Sequence, residues 1–156
     1  ESALPSDYYV EFAPTWVGDR RGEPGWDITT ARYIAHGDVD GGVSIDVIRE
    51  NYLLPAQRRY QAELILLEEN GVTEPIDVNF QSGRAQQSLL RCQPAEQIGA
   101  FDDRWLECHY VARYDEFTVH LIAGIGPDRM SLAEFEALLR AYDALAANLL
   151  GQTPTP

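Results

Sequence analysis

Lysine is absent from the 156-residue chain, so all twelve of its basic residues are arginine. Without a lysine amine the chain has neither a Schiff-base nucleophile nor the lysine of a phosphate-binding loop. Acidic residues outnumber basic ones by 25 to 12, which gives a formal net charge of -13. Such a charge repels phosphate backbones and anionic lipid headgroups. We therefore expect no binding to nucleic acid.

Long apolar runs are also missing, since none approaches the roughly 18 residues of a membrane-spanning helix. Methionine occurs only once, as Met130, so we expect that a segment preceding Glu1 was removed. Membrane attachment would then depend on an anchor within that segment.

The sequence motifs of common enzyme classes are not present either. There is no Gly-x-Ser-x-Gly, no glycine-rich phosphate loop and no His-Glu-x-x-His, and the cysteines lack a Cys-x-x-Cys spacing. Asp102 and Asp103 form an acidic pair, which we interpret as solvated loop residues. We expect no enzymatic activity, no catalytic residue and no cofactor.

Two cysteines are present, Cys92 and Cys108. Both lie in segments that we interpret as consecutive antiparallel strands, and a connection near Gly99 and Ala100 would place them opposite each other. The prediction is a disulfide that closes a loop of about 15 residues. The alternative is a pair of buried free thiols in a reducing cytosol.

Alternating and β-branched segments predict seven strands in the order strand, hairpin, helix, four strands, helix. The first begins at Tyr8 and stops at Pro14. The others are 28–35, 42–50, 75–80, a run ending at Cys92, and two arms of a hairpin within 105–121.

Two helices are predicted from apolar residues at helical spacing. The first covers 55–69, starts at Pro55 and stops at Asn70-Gly71. The second covers about 132–150 and begins with a capping box of Ser131 and Glu134. Its predicted apolar face consists of Leu132, Phe135, Leu139, Tyr142, Ala146 and Leu149.

These elements predict a single domain over residues 1–156, with an ordered core at about 8–150 and polar tails at 1–7 and 151–156. The predicted fold class is α+β: one mostly antiparallel sheet with two helices, of which the long C-terminal helix packs on the sheet.

The stretch WLECHYVARYDEFTVHL, residues 105–121, carries the strongest chemical signal. A turn at Asp115-Glu116 predicts a core face and an opposite face that holds Glu107, His109 and His120. These three side chains are the candidate zinc ligands. Arg113 on the same face opposes a cation, and no second carboxylate for the histidines is evident. We therefore expect a half-buried polar face that binds no stoichiometric zinc.

Three stretches resemble the PsbP-like proteins, the family of the extrinsic photosystem II protein and related exported lipoproteins. They are YYVEFAPTW, like that family's opening strand, GVSIDVI, like its second strand, and DEFTVHLIAG followed by the capped helix. The insertion GDRRGEPGWD and the cysteine pair depart from the family pattern. The resemblance implies a non-enzymatic, extracytoplasmic accessory or binding protein, secreted or membrane-anchored, that acts through protein-protein or small-ligand contacts.

Two other functions are compatible with the predicted elements. One is a helix-grip carrier, in which a curved sheet and the final helix enclose an apolar small molecule. The other is a small metallohydrolase built on the histidine hairpin. An apolar cavity under the final helix would favour the carrier, and a bound metal would favour the hydrolase.

Overall fold

The computed structural model describes residues 8–17, 26–35, 43–50, 53–73, 78–97, 100–126 and 130–149, with side chains within 43–49, 55–73, 78–94, 106–126 and 130–146. Six strands and two helices follow one another along these residues. They are β1 (Tyr8–Val17), β2 (Trp26–Ala35), β3 (Val43–Glu50), α1 (Leu53–Glu69), β4 (Gln87–Gln97), β5 (Ala100–Tyr114), β6 (Phe117–Ile125) and α2 (Leu132–Leu149). The predicted tails lie outside the described residues.

The strands form one sheet in the order β1-β2-β3-β6-β5-β4, and each neighbouring pair is antiparallel. The α+β prediction with a mostly antiparallel sheet is therefore confirmed. Side chains alternate between the two faces of a sheet, so each face needs its own cover. Tyr60 and Leu67 of α1 pack against Val111 on one face, while Phe135 and Leu139 of α2 join the larger core on the other.

Three strand predictions are wrong. The run predicted to end at Cys92 continues as β4 to Gln97. The first strand does not stop at Pro14 but continues to Val17, with irregular pairing between Phe12 and Thr15. Proline cannot donate to a ladder, and such an irregularity accommodates it. Residues 78–80 of the predicted strand 75–80 are not in a strand, and 74–77 lie outside the described residues. There the amide of Phe80 donates to the carbonyl of Val78, a turn-like bond.

The end of α1 follows from its sequence, as predicted. Gly71 has a φ of 77°, a left-handed conformation that favours glycine. The amide of Val72 donates to the Leu67 carbonyl and the amide of Gly71 donates to the Glu68 carbonyl. These two bonds form a Schellman motif, which closes the last turn of the helix.

The start of α2 also agrees with the sequence. Ser131 and Glu134 form the predicted capping box, because the Glu134 carboxylate accepts from the Ser131 amide and the Ser131 hydroxyl accepts from the Glu134 amide. Phe135, Leu139 and Ala146 are buried as predicted, whereas Leu132 is 41% exposed. Leu132 is the first helical residue, at the rim of the interface.

The β5-β6 hairpin has the predicted register. Val111 pairs with His120 and His109 pairs with Ile122 across a two-residue turn at Asp115-Glu116. The side chain of Gln86 holds this turn, since it accepts from the Asp115 amide and donates to the Asp115 carboxylate. This register places the histidines on the face that α1 covers.

Candidate functional site

The α1 side of the sheet brings together four side chains from three elements, which we call the histidine chain: Glu107, His109, His120 and Glu63. Glu107 Oε1 lies 2.9 Å from His109 Nε2, and His109 Nδ1 lies 2.9 Å from His120 Nε2. On the other side of His120, its Nδ1 lies 3.3 Å from Oε2 of Glu63 on α1. A continuous polar chain therefore joins β5, β6 and α1.

The histidine chain contains the three predicted candidates and one residue that the sequence analysis missed. His109 is 7% exposed, and the side chains of His120 and Glu63 are 16% and 14% exposed. The face is thus more deeply covered than expected. Glu107 is the expected partner of His109, whereas Arg113 instead donates to Gln87 and to the Asp115 carbonyl.

Both carboxylates of the chain are stabilised in the charged form. The hydrogen bond from His120 lowers the pKa of Glu63, against the opposing effect of burial. The hydrogen bond from His109 lowers the pKa of Glu107, which also accepts from the Gln93 amide group at 2.9 Å. Each carboxylate contacts the imidazole nitrogen that points away from the other histidine, and this contact orients the ring.

Acid should weaken the fold through these carboxylates. A lowered folded-state pKa adds stability above the unfolded value, and this stability is lost as the pH falls through the folded value. Between neutral pH and about pH 3, below the ordinary glutamate pKa of about 4.3, we expect Glu63→Gln to lose less stability than the unmodified protein. The difference should be at most about 1 kcal/mol. Urea unfolding at several pH values measures it, with exposed Glu68→Gln as the control; equal losses for both variants would contradict it.

The two imidazoles face each other closely. Their ring centres are 5.2 Å apart while the facing nitrogens are 2.9 Å apart. The distance between the ring centres exceeds the distance between the nitrogens by twice the distance from an imidazole centre to its nitrogen. Both nitrogens therefore lie close to the line between the ring centres. A tetrahedral zinc ion would hold the nitrogens about 3.3 Å apart, since each Zn–N bond is about 2.0–2.1 Å. Among the described residues no group of three or more His, Cys, Asp or Glu is arranged to hold a metal.

The opposite face contains the cysteines. Cys92 and Cys108 pair directly across β4 and β5 and form a disulfide, as predicted, with their Cα atoms 4.1 Å apart. Both residues are buried in the larger core. The bridge fastens β4, the outermost strand on its side of the described sheet, to β5.

A second polar network lies on the α2 side, around Asp143. The hydroxyls of Ser82 and Tyr114 both donate to Asp143 Oδ1, the latter at 2.8 Å. The only hydroxyl proton of Tyr114 is donated to Asp143. The bond between the two tyrosines is therefore donated by Tyr110 to the Tyr114 oxygen, at 3.2 Å. Burial raises the pKa of Tyr110 to about 12, and burial likewise raises the pKa of Tyr114. Both phenols therefore remain protonated and act as structural donors.

A surface cleft of about 290 Å³ opens beside this network, between residues 78–82 and β4. Arg91 is the only charged residue among those that line it; the others are Val78, Phe80, Gln81, Ser82, Ser88, Leu89, Leu90 and Tyr110. Segment 78–82 is fixed to α2 by Arg140, which donates to the Asn79 carbonyl, and to β5 by Phe80, which packs edge-on against Tyr110. The exposed lining of the cleft is thus more polar than apolar, and it includes a few apolar side chains, hydroxyl groups and one arginine.

The acidic pair Asp102 and Asp103 lies in β5 and not in a loop, so that prediction is wrong in its placement. The hairpin arm extends further back than its apolar alternation indicates, and the side chains of the pair are outside the described set.

Comparison with known protein families, with curated proteins and with solved structures gives no match. Neither helix of the described residues combines the length and apolar character of a membrane-spanning helix.

Proposed function

We propose that this protein is a non-enzymatic, extracytoplasmic binding protein of the PsbP-like type, secreted or membrane-anchored, that holds a small ligand in the cleft beside β4. The cleft carries this proposal. Its volume of about 290 Å³ is close to the lower end of known ligand pockets. Apolar walls with a few convergent polar groups are the usual lining of such pockets.

The lining residues indicate the class of ligand. Phe80 and Leu90 offer apolar contact, and the Ser88 hydroxyl offers a hydrogen bond. Arg91, whose side chain starts on the α1 face opposite His109 and donates to the Leu90 carbonyl, brings a positive charge to the rim of the cleft in a chain of net charge -13. An arginine prefers carboxylate, sulfonate or phosphate oxygens. The expected ligand therefore has a small apolar body and one anionic group.

The disulfide supports the proposed compartment. Disulfides persist in oxidising environments such as the cell exterior, and they are rare in the reducing cytosol. The bridge also fixes β4, one wall of the cleft.

The alternatives lack an observation of this kind. A hydrolase would need the two histidine nitrogens to converge on a metal, but they face each other on a line at 2.9 Å. A carrier would need an apolar cavity under α2, where Phe135 and Leu139 are instead buried in the core with Leu121.

The dye 1-anilinonaphthalene-8-sulfonate is a suitable probe, because it joins an apolar body to one sulfonate. We expect saturable fluorescence enhancement, with amide shifts confined to residues 78–82 and 88–91 in nitrogen-15 spectra. Arg91→Gln should weaken binding about tenfold, or about 1.4 kcal/mol, through loss of the charged contact. Arg58→Gln, which removes an exposed arginine outside the cleft, should bind as the unmodified protein does. Equal weakening by both variants, or shifts elsewhere on the surface, would show that the cleft is not the site.

A further inference from the structure

The histidine chain makes three close contacts, two hydrogen bonds and the ion pair of His120 with Glu63, but two neutral histidines supply only two protons. Each contact needs one proton, and the lowered pKa values of Glu63 and Glu107 keep both end groups as acceptors. In two neutral imidazoles one contact has no proton. Either the facing nitrogens are two bare lone pairs only 2.9 Å apart, or one outer nitrogen turns a bare lone pair toward its carboxylate. A third proton removes this repulsion.

The surroundings favour that extra positive charge. Asp46 is the direct cross-strand partner of His120, so it shares the same face, and its buried Oδ1 has no hydrogen-bond partner among the described residues. Two carboxylates contact the imidazole pair, and a third lies on the same face beside His120. The charged groups that face the pair from β3, α1, β4 and β5 are Asp46, Glu63, Arg59, Arg91, Glu107 and Arg113.

The arginines do not cancel the carboxylates. Arg91 lies opposite His109 on β4 and donates to the Leu90 carbonyl, and Arg113 is directed toward Gln87 and the Asp115 carbonyl. Glu107 and Glu63 are in contact with the imidazoles themselves. The charges recorded in direct contact with the imidazoles are therefore negative.

We propose that the histidine chain is a proton-binding site: His109 and His120 share one proton in excess of their neutral forms, and this proton fastens α1 to the sheet through Glu63. The chain then carries three protons and a net charge of -1, from two carboxylates and one shared imidazolium.

The proton matters for α1 because the buried apolar cluster beneath its described residues is small. Tyr60, Leu67 and Val72 are buried with Val111 in a small cluster, whereas Ile65 and Leu66 are 54% and 49% exposed. Within the part of the chain that the structure describes, the Thr118 hydroxyl of β6 donates to the Ala56 carbonyl of the helix at 3.4 Å. Loss of the shared proton would place two lone pairs in contact next to the Glu63 link, so α1 would loosen.

The direction of the pH effect follows from the proton count. The folded state binds one more proton than two neutral imidazoles, so the stabilisation is complete at mildly acidic pH and disappears as the pH rises. Over the interval where the folded chain keeps the proton and the unfolded chain has lost it, the equilibrium constant for unfolding should rise up to about tenfold per pH unit.

Unfolding by urea from pH 6 to 9 tests this, with His109→Gln and His120→Gln as variants. The third histidine of the chain, His36, gives the matched control His36→Gln. We expect the unmodified protein and His36→Gln to share the rise in the unfolding constant, and both chain variants to lose it. Faster hydrogen exchange of the α1 amides at pH 9 than at pH 6, after correction for intrinsic exchange, should accompany the rise.

A measurement on the unmodified protein keeps the test decisive if a variant fails to fold. Two-bond proton-nitrogen spectra distinguish protonated from bare imidazole nitrogens, and at pH 6 they should show the two facing nitrogens sharing a proton while both outer nitrogens remain protonated. Two bare facing nitrogens at pH 6, or a pH dependence abolished equally by His36→Gln, would overturn the proposal. So would about one equivalent of zinc retained after dialysis against a weak chelator and lost in His109→Ala.

Discussion

Replacing both cysteines with alanine, Cys92→Ala with Cys108→Ala, should lower the free energy of unfolding by about 3 kcal/mol, the value of a cross-link that closes a loop of about 15 residues. The two residues are 16 positions apart in the chain. The main physical reason lies in the unfolded state, which gains conformational freedom once the bridge is gone. Because the bridge holds the outermost strand β4, the loss should be seen first in hydrogen exchange of β4 amides.

A reducing agent separates the cross-link from the loss of two buried side chains. Cys92 is 2% exposed and Cys108 is fully buried, so alanine also removes some packing. Dithiothreitol should destabilise the unmodified protein and leave the double alanine variant unchanged. Two reactive thiols in denatured, unreduced protein would disprove the bridge and weaken the case for an extracytoplasmic location.

The local structure with strong sequence signals was predictable. The β5-β6 hairpin has its register fixed by apolar alternation, because a slip of one residue would move Tyr110 and Leu121 out of the core. Helix α2 spans Leu132–Leu149 where 132–150 was predicted, since a capping box and an apolar stripe mark it. Helix α1 begins at Leu53, two residues before the predicted start at Pro55. Helix ends are the least determined parts of such patterns.

The segment 75–80 shows where alternation misleads. Val78 and Phe80 alternate as in a strand. In the structure, however, Phe80 packs on Tyr110 from the α2 side, and Arg140 donates a hydrogen bond to the Asn79 carbonyl. An apolar side chain can be buried across the end of a sheet without joining its ladder. Periodicity alone does not distinguish the two arrangements.

The functional residues that were missed share a pattern that the sequence does contain. Glu63 lies three residues after Tyr60 and four before Leu67, which places a carboxylate on the buried face of α1. Asp143 lies four residues after Leu139 and three before Ala146, which places another on the buried face of α2. An acid inside an apolar stripe must find donors on the opposing sheet. That requirement could have indicated both polar networks, although their partners depend on how each helix lies on the sheet.

Substitution of Asp143 by alanine is expected to have the second large effect on stability. Asp143 is 7% exposed and accepts from both Tyr114 and Ser82. Its removal leaves the Tyr114 hydroxyl without its acceptor at a fully buried position. We expect the free energy of unfolding to fall by roughly 2–4 kcal/mol, since hydrogen bonds to charged groups contribute about 1.5–3 kcal/mol and an orphaned buried group costs about 1–3 kcal/mol.

A double-mutant cycle tests whether the loss comes from the hydrogen bond itself. Tyr114→Phe removes the donor and leaves the ring, so Asp143→Ala should cost less in its presence than in the unmodified protein, with a coupling energy of at least about 0.5 kcal/mol. Glu68→Ala, which removes an exposed acid of α1, is the control and should change stability by no more than about 0.5 kcal/mol. Strictly additive effects of the two core substitutions would mean that Asp143 stabilises the fold without Tyr114. In that case the Ser82 bond, which anchors segment 78–82 and one wall of the cleft, would carry the stabilisation.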